Sequence, residues 1–209
     1  MPDLKSPLYL SQLEQFRKNQ RIKGENKIFG LQWGDPDSVE SLKFVRDGYV
    51  LPYIDDTHDA IEIGPGGGRW TRYLLGFMKL YVVDYHAEIL KELKKNFHEP
   101  NMTFIQNNGT DFPGIQESSI DYIFSFGTFV HLDTDLIEEY LESMKSIVKP
   151  QGNIVIQYSD KTKKAAQMDK FFSENTPDKM RSMVLAAGYK ILEEDLTTLW
   201  HSSIIRFSL

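Results

Sequence analysis

The sequence predicts an α/β fold: a doubly wound, seven-stranded, mostly parallel sheet with a C-terminal antiparallel hairpin and an N-terminal helical cap. Three observations predict it. From about Asp59, short apolar runs alternate with stretches of helical period, which implies right-handed βαβ crossovers. A glycine-rich turn, "EIGPGGGRW" from Glu62 to Trp70, directly follows the first apolar run and places four glycines in five positions. The chain closes on "KILEEDLTTLWHSSIIRFSL", two strand-like runs with no helix between them, which pair antiparallel at one end of the sheet.

The elements follow in order. Leu8 to Lys18 has the spacing of a short amphipathic helix, and "NQRIKGENKIFGLQWGDPD" reads as a loop. Asp35-Pro36-Asp37-Ser38 opens a helix, and "VESLKFVRDGYVLPYI" carries apolar residues at helical spacing. Residues 1–52 form a cap or lid on a core of residues 53–209. In that core "DAIEIG" is the first strand, "RWTRYLLGFM" a helix, "KLYVVDY" a strand and "HAEILKELKKNF" an amphipathic helix with its lysines outward. "NMTFIQNN" and "SIDYIFSFG" are the third and fourth strands, followed by the helix "DTDLIEEYLESMKSIV". Lys149-Pro150-Gln151-Gly152 stops that helix, "NIVIQYS" is the fifth strand, and "TPDKMRSMVLAAGY" is a helix ending on a glycine cap.

Composition narrows the function. The chain has 209 residues, enough for one domain with a real core, and its 41% hydrophobic and 26% charged content is globular. A net charge of -6 disfavours DNA or RNA as partner. The absence of cysteine removes disulfides, thiolate metal sites and a cysteine nucleophile. No run approaches the roughly 20 apolar residues that span a bilayer, so a cytoplasmic protein with no membrane partner is expected, as monomer or homodimer.

In an open parallel sheet, ligands bind at the carboxyl ends of the strands. Five segments lie there. The glycine turn departs from the dinucleotide pattern G-x-G-x-x-G, because Arg69 occupies the third glycine's place. Asp84 ends an apolar strand about 20 residues on, where an acid accepts ribose hydroxyls; the other reading makes it the cap of the helix starting near Ala87. Asn107 to Phe112 offers amides and open backbone N–H groups to an adenine edge, or is an ordinary polar turn. "FSFGTFVHLD" carries His131, a natural general base or else a structural histidine; Asp133 reads as the next helix's N-cap. Metal ligation by His131, Asp133 and Asp135 is not indicated by their spacing, and no metal is expected. Gln157-Tyr158-Ser159 either faces a substrate or is a solvated strand end.

Together these segments resemble a class I S-adenosylmethionine-dependent methyltransferase over roughly Tyr53 to Leu209. "EIGPGGGRW" is similar to the family's E/D-x-G-x-G-x-G, with Glu62, Gly64, Gly66 and Gly68 on the fixed positions. "VVDYH" resembles the second motif, with Asp84 as ribose acid. "NNGTDF" falls where many members have G-D-A-x-x-L, with Asn108 replacing the acid. "SIDYIFSFGTFVHL" and "VKPQGNIVI" resemble the fourth- and fifth-strand motifs, with Gln151 for a glycine, and the terminal hairpin separates this Rossmann-like fold from dehydrogenases. The resemblance implies S-adenosylmethionine as cofactor. It implies cofactor contacts from Glu62, Gly64, Gly66 and Gly68, from Asp84 and Tyr85, from Asn108, Gly109 and Thr110, and from Ser125 and Phe126.

The glycine turn would receive the methionine carboxylate through backbone N–H groups and the following helix N-terminus. The expected acceptor is a small-molecule or glycan hydroxyl, with His131 as base; Trp33, Arg69, Trp70 and Tyr158 are the candidate substrate contacts. The other readings are methylation of a small amine, a non-catalytic cofactor-binding module, and a Rossmann dehydrogenase, which Arg69 and the hairpin oppose.

Overall fold

The computed structural model describes residues 7–23 and 28–209, with backbone alone at residues 7–10 and 20–23. Seven strands form one sheet: β1 (Asp59–Ile63), β2 (Lys79–Asp84), β3 (Met102–Gln106), β4 (Ile120–Ser125), β5 (Val148–Ser159), β6 (Lys190–Asp195) and β7 (Ser202–Ser208). Their order is β3-β2-β1-β4-β5-β7-β6. The first five run parallel, and β7 pairs antiparallel with both β5 and β6. The doubly wound sheet and its terminal hairpin are therefore present as the sequence predicts.

Alternation along the strands builds two cores. Ile61, Ile63, Ile123, Ile154 and Ile156 face one side, where α5 (Thr134–Ile147) and α7 (Pro177–Ala186) pack with Tyr140, Met144, Met180 and Val184. Ala60, Tyr122, Phe124 and Val155 face the other, against Trp70, Leu74, Phe77 and Leu93. Leu93 belongs to α4 (Ala87–Asn96). Both faces are apolar because a parallel sheet is covered on both sides.

The N-terminal part differs in detail from the expectation. Helix α1 runs Pro7–Lys23, into what reads as loop, while residues 1–6 and 24–27 lie outside the described residues. A 3-10 turn, Leu31–Trp33, follows. Helix α2 (Glu40–Val45) starts two residues after the Asp35–Ser38 signal, then loosens into a π turn at Arg46–Val50 and a 3-10 turn at Leu51–Tyr53. Leu42, Val45, Tyr49 and Val50 bury in the same cluster as Trp70 and Phe124, so this stretch is built into the core layer.

Three other elements depart from the reading. The helix after the glycine turn, α3, is a single turn (Thr71–Leu74), with Gly76 close behind it. The 149–152 stretch stops α5 but also opens β5: pairing with β4 jumps from Ile120↔Val148 to Tyr122↔Asn153, a bulge that absorbs Pro150 and Gly152. A short helix α6 (Lys164–Met168) lies in a segment that carries no strong periodic pattern. The end of α7 follows the expected chemistry, because Gly188 takes φ +86° just past Ala187.

Candidate functional site

A cavity of about 660 Å³ opens at the carboxyl ends of β1, β2, β4 and β5. Its floor is the turn after β1. Gly64 has φ +71° and Gly66 φ +58°, conformations that favour glycine. A Cβ on Gly64 would lie 1.8 Å from Thr128 Oγ1, so the two turns after β1 and β4 approach closely only because Gly64 is bare. Gly68 serves packing instead: a Cβ there would meet the Phe97 ring at 2.0 Å.

Glu62 lies under this floor, 2% exposed, and accepts from Thr71 Oγ1 at 2.5 Å. Desolvation pushes its pKa up to about 8, against the opposing hydrogen bond from Thr71 and the charge of Arg69. It does not line the cavity. Ser125 is likewise a staple, donating to the Ile63 carbonyl at 2.9 Å across the β1–β4 seam.

Asp84 does line the cavity, with Tyr85 and His86 beside it. Its carboxylate accepts the His86 N–H at 2.8 Å just ahead of α4, whose N-cap position His86 itself takes. Desolvation pushes its pKa up to about 7. The loop after β3 is organised by buried Asn107, whose amide donates to Tyr140 Oη at 3.1 Å. Asn108 is exposed and its carbonyl already accepts from Thr110 N and Asp111 N at 3.1 and 3.2 Å. Asn108, Gly109 and Thr110 do not line the cavity, whereas Tyr140 and Leu132 do.

The other half of the cavity is aromatic and carries the base candidate. Phe126, Trp70 and Trp33 line it, as does Arg69, whose guanidinium donates to the Trp33 carbonyl at 3.2 Å and lies over the Phe126 ring. His131 Nδ1 lies 2.9 Å from the Phe171 carbonyl oxygen. A carbonyl only accepts, so Nδ1 carries the proton of the neutral ring and Nε2 carries the lone pair. Burial lowers the His131 pKa, partly opposed by that carbonyl and by Asp169, which favours the neutral form.

Tyr158 is a correction. Its side chain is fully buried in the α5/α7 core and does not reach the cavity. Its neighbour Gln157 does, since successive strand residues face opposite sides. Gln157 accepts from Gly127 N at 2.7 Å and donates to Ser202 Oγ at 2.6 Å, tying the β4 turn to β7. Gln12, Phe29, Thr128, Phe172, Trp200 and His201 also line the cavity and carry no motif that singles them out in the sequence. Asp133 takes the N-cap position of α5 without a side-chain capping bond.

A family model for a methyltransferase domain matches residues 60–152, which span the glycine turn, Asp84 and the His131 segment. Over this stretch the chain matches a methyltransferase domain. No curated protein matches the sequence. Solved structures share the fold. An S-adenosylmethionine-dependent methyltransferase from Mesorhizobium loti superposes with TM-score 0.68 at 11% identity, over 83% of this chain and 99% of that one. One from Clostridium acetobutylicum gives 0.66 at 12% identity, over 94% and 98%. A DhpI–SAH complex gives 0.63 at 20% identity, over 96% of each.

The residues of the cavity fit S-adenosylmethionine as cofactor. Without a Cβ on Gly64 or Gly66 a carboxylate can come close to the backbone of the floor, while the Gly64 and Gly68 N–H groups already donate to the Val83 and Pro65 carbonyls at 2.8 and 3.1 Å. The desolvated Asp84 carboxylate, compensated by a backbone N–H, gains from hydroxyl donors such as a ribose diol. The helix N-terminus contributes less than the sequence suggests, since α3 has only four residues. Among the described residues no cluster of three or more metal-ligating side chains occurs, and no helix is long and apolar enough to cross a membrane.

Proposed function

We propose that this methyltransferase methylates a hydroxyl of a small molecule or sugar, with His131 as general base. The observation that carries the reading is the His131–Phe171 contact, which fixes the imidazole with its basic Nε2 left for the cavity. Bound at the glycine turn, S-adenosylmethionine supplies a methyl group on an already activated sulfonium. The residues then have two tasks. Gly64, Gly66, Asp84 and Tyr85 hold the cofactor, with Glu62 shaping the turn from below. Phe126, Trp70 and Trp33 exclude water from the acceptor end, and His131 aligns the hydroxyl and takes its proton.

Residues 1–52 act as a cap on the 53–209 core, anchored in the core layer by Leu42, Val45, Tyr49 and Val50. Support comes from Gln12, Phe29 and Trp33, which all line the cavity from the cap's side.

The test is methyl transfer to a panel of hydroxyl and amine acceptors. His131→Ala should lower kcat roughly 10²- to 10⁴-fold, the usual contribution of a positioned base. The pKa of His131 lies below its ordinary 6.5, so with S-adenosylmethionine saturating at each pH, which keeps Asp84 engaged by the cofactor, wild-type kcat/KM for the acceptor should fall only on the acid side and stay level from pH 7 to 9. The acid limb should vanish in the variant. Unchanged transfer by His131→Ala, or transfer to amines alone, would overturn this reading.

A further inference from the structure

The terminal hairpin brings a second imidazole to the acceptor end. His201 directly precedes β7 and lines the cavity together with Phe172 and Trp200. The Phe172 ring packs roughly perpendicular to both histidines, its centroid 5.4 Å from that of His131 and 5.2 Å from that of His201. Two imidazoles from segments distant in sequence thus contact one phenyl ring in one cavity.

Their hydrogen-bond environments are opposite. His131 Nδ1 faces a carbonyl, so it is the protonated nitrogen and Nε2 is the acceptor. His201 Nδ1 is buried with no hydrogen-bond partner among the described residues. A strong donor buried without an acceptor is the rarer and costlier arrangement, so the proton of His201 belongs on Nε2. Both rings are neutral near pH 7. Burial lowers the His201 pKa first, then the charge of Lys163; Arg69 and His131 act in the same direction, and Asp169 opposes them. One histidine therefore offers a lone pair and the other an N–H.

We infer that His201 is an acceptor-positioning residue whose Nε2–H donates to an oxygen adjacent to the hydroxyl that His131 deprotonates, so that the acceptor carries two neighbouring oxygens, a vicinal diol. The inference rests on the O-methylation reading and deepens it. In the step, the bond between sulfur and the methyl carbon breaks as the oxygen–methyl bond forms, the hydroxyl proton passes to His131 Nε2, and His201 keeps its proton. Phe172 and Trp200, the latter 73% exposed at the rim, present apolar faces to the ring that bears the diol. An alicyclic sugar ring and a catechol share this chemistry.

The test uses the full chain with ¹⁵N-labelled histidine, saturated with S-adenosylhomocysteine. Long-range ¹⁵N–¹H spectra should show His131 protonated at Nδ1 and His201 at Nε2. Cis-1,2-cyclohexanediol, for the saturated ring of a sugar, and catechol serve as diol probes, with cyclohexanol and phenol as controls that each lack one oxygen. The diol probe that binds should move the Nε2 signals of both histidines, and its control should move His131 alone; which of the two acts separates sugar from catechol. In turnover with that diol, His201→Leu should raise KM at least tenfold with the S-adenosylhomocysteine Kd within twofold of wild type. His201→Gln, which keeps a donor, should recover most of the loss. A His201 protonated at Nδ1, or one that stays still while His131 moves, would overturn the inference and spare the O-methylation reading. Silence of both histidines to both diols, with S-adenosylhomocysteine bound, would overturn both.

Discussion

Asp84 and Glu62 are acids held where their charge is poorly solvated, and that makes the site expensive in the ligand-free protein. The unfolded chain ionises them near 3.8 and 4.5, the folded chain only near 7 and 8. Between those values the folded state holds more protons than the unfolded one. Their contribution therefore lowers stability as pH rises from about 4 to about 8, and it is absent below pH 4. Asp84→Asn and Glu62→Gln should each stabilise the ligand-free protein relative to wild type, by a margin that grows over this range. Chemical denaturation at pH 5 and pH 8 measures it; a margin independent of pH would refute the assignment. Asp84→Asn should also weaken S-adenosylhomocysteine binding, since an amide is a poorer acceptor for hydroxyls. At this scale the sequence shows the residues that stand on a motif, such as Gly64, Asp84 and His131. It hides Gln157 and His201, because nothing in a strand's own residues says which face meets a cavity made by distant segments. The choice of Tyr158 over Gln157 failed on that one-residue alternation.

Among the elements, α1 is held more lightly than the strands. Leu13 is buried with Phe29 and Ile89 in a small cluster of its own, Phe16 packs on Phe29 at 5.3 Å, and Arg17 pairs with Glu92 on α4 at 2.7 Å. The ion pair is half-exposed and adds little. Leu13 is therefore the main anchor, and Leu13→Ala should cost about 2 kcal/mol, the low end for a buried leucine, because so small a cluster can collapse. If α1 opens as a lid, that cost falls on its docking alone. Amide exchange in residues 11–19 should then quicken roughly thirtyfold, since 1.4 kcal/mol is tenfold, while β1 and β4 keep their protection. Equal loss of protection in the strands would show that α1 belongs to the global folding unit. The sequence signals the existence of α1 and of each strand through periodicity. It overstates α3 and misses α6, since single helical turns are set by packing rather than pattern.

The whole molecule separates cofactor classes by how the chain leaves and re-enters the sheet. The β–α alternation and the final pair of strands are legible as a pattern, and the observed order β3-β2-β1-β4-β5-β7-β6 realises them. Insertion of β7 beside β5 is what carries Trp200 and His201 to the cavity, a consequence of topology that no local stretch encodes. The same architecture argues against a dinucleotide. A pyrophosphate sits on a helix N-terminus behind a G-x-G-x-x-G turn, whereas here Arg69 breaks the turn and α3 is four residues long. A ligand that binds only the folded state stabilises it by about 2.7 kcal/mol at a hundredfold excess over Kd. For a chain of this size each kcal/mol moves Tm by about 2–4 °C. S-adenosylhomocysteine at that excess should therefore raise Tm by roughly 5–10 °C, and Asp84→Asn should shrink the rise at fixed ligand concentration. NAD at millimolar concentration should leave Tm unchanged; a comparable upward shift with NAD would place the phosphate-binding reading of the glycine turn ahead of the methionine one.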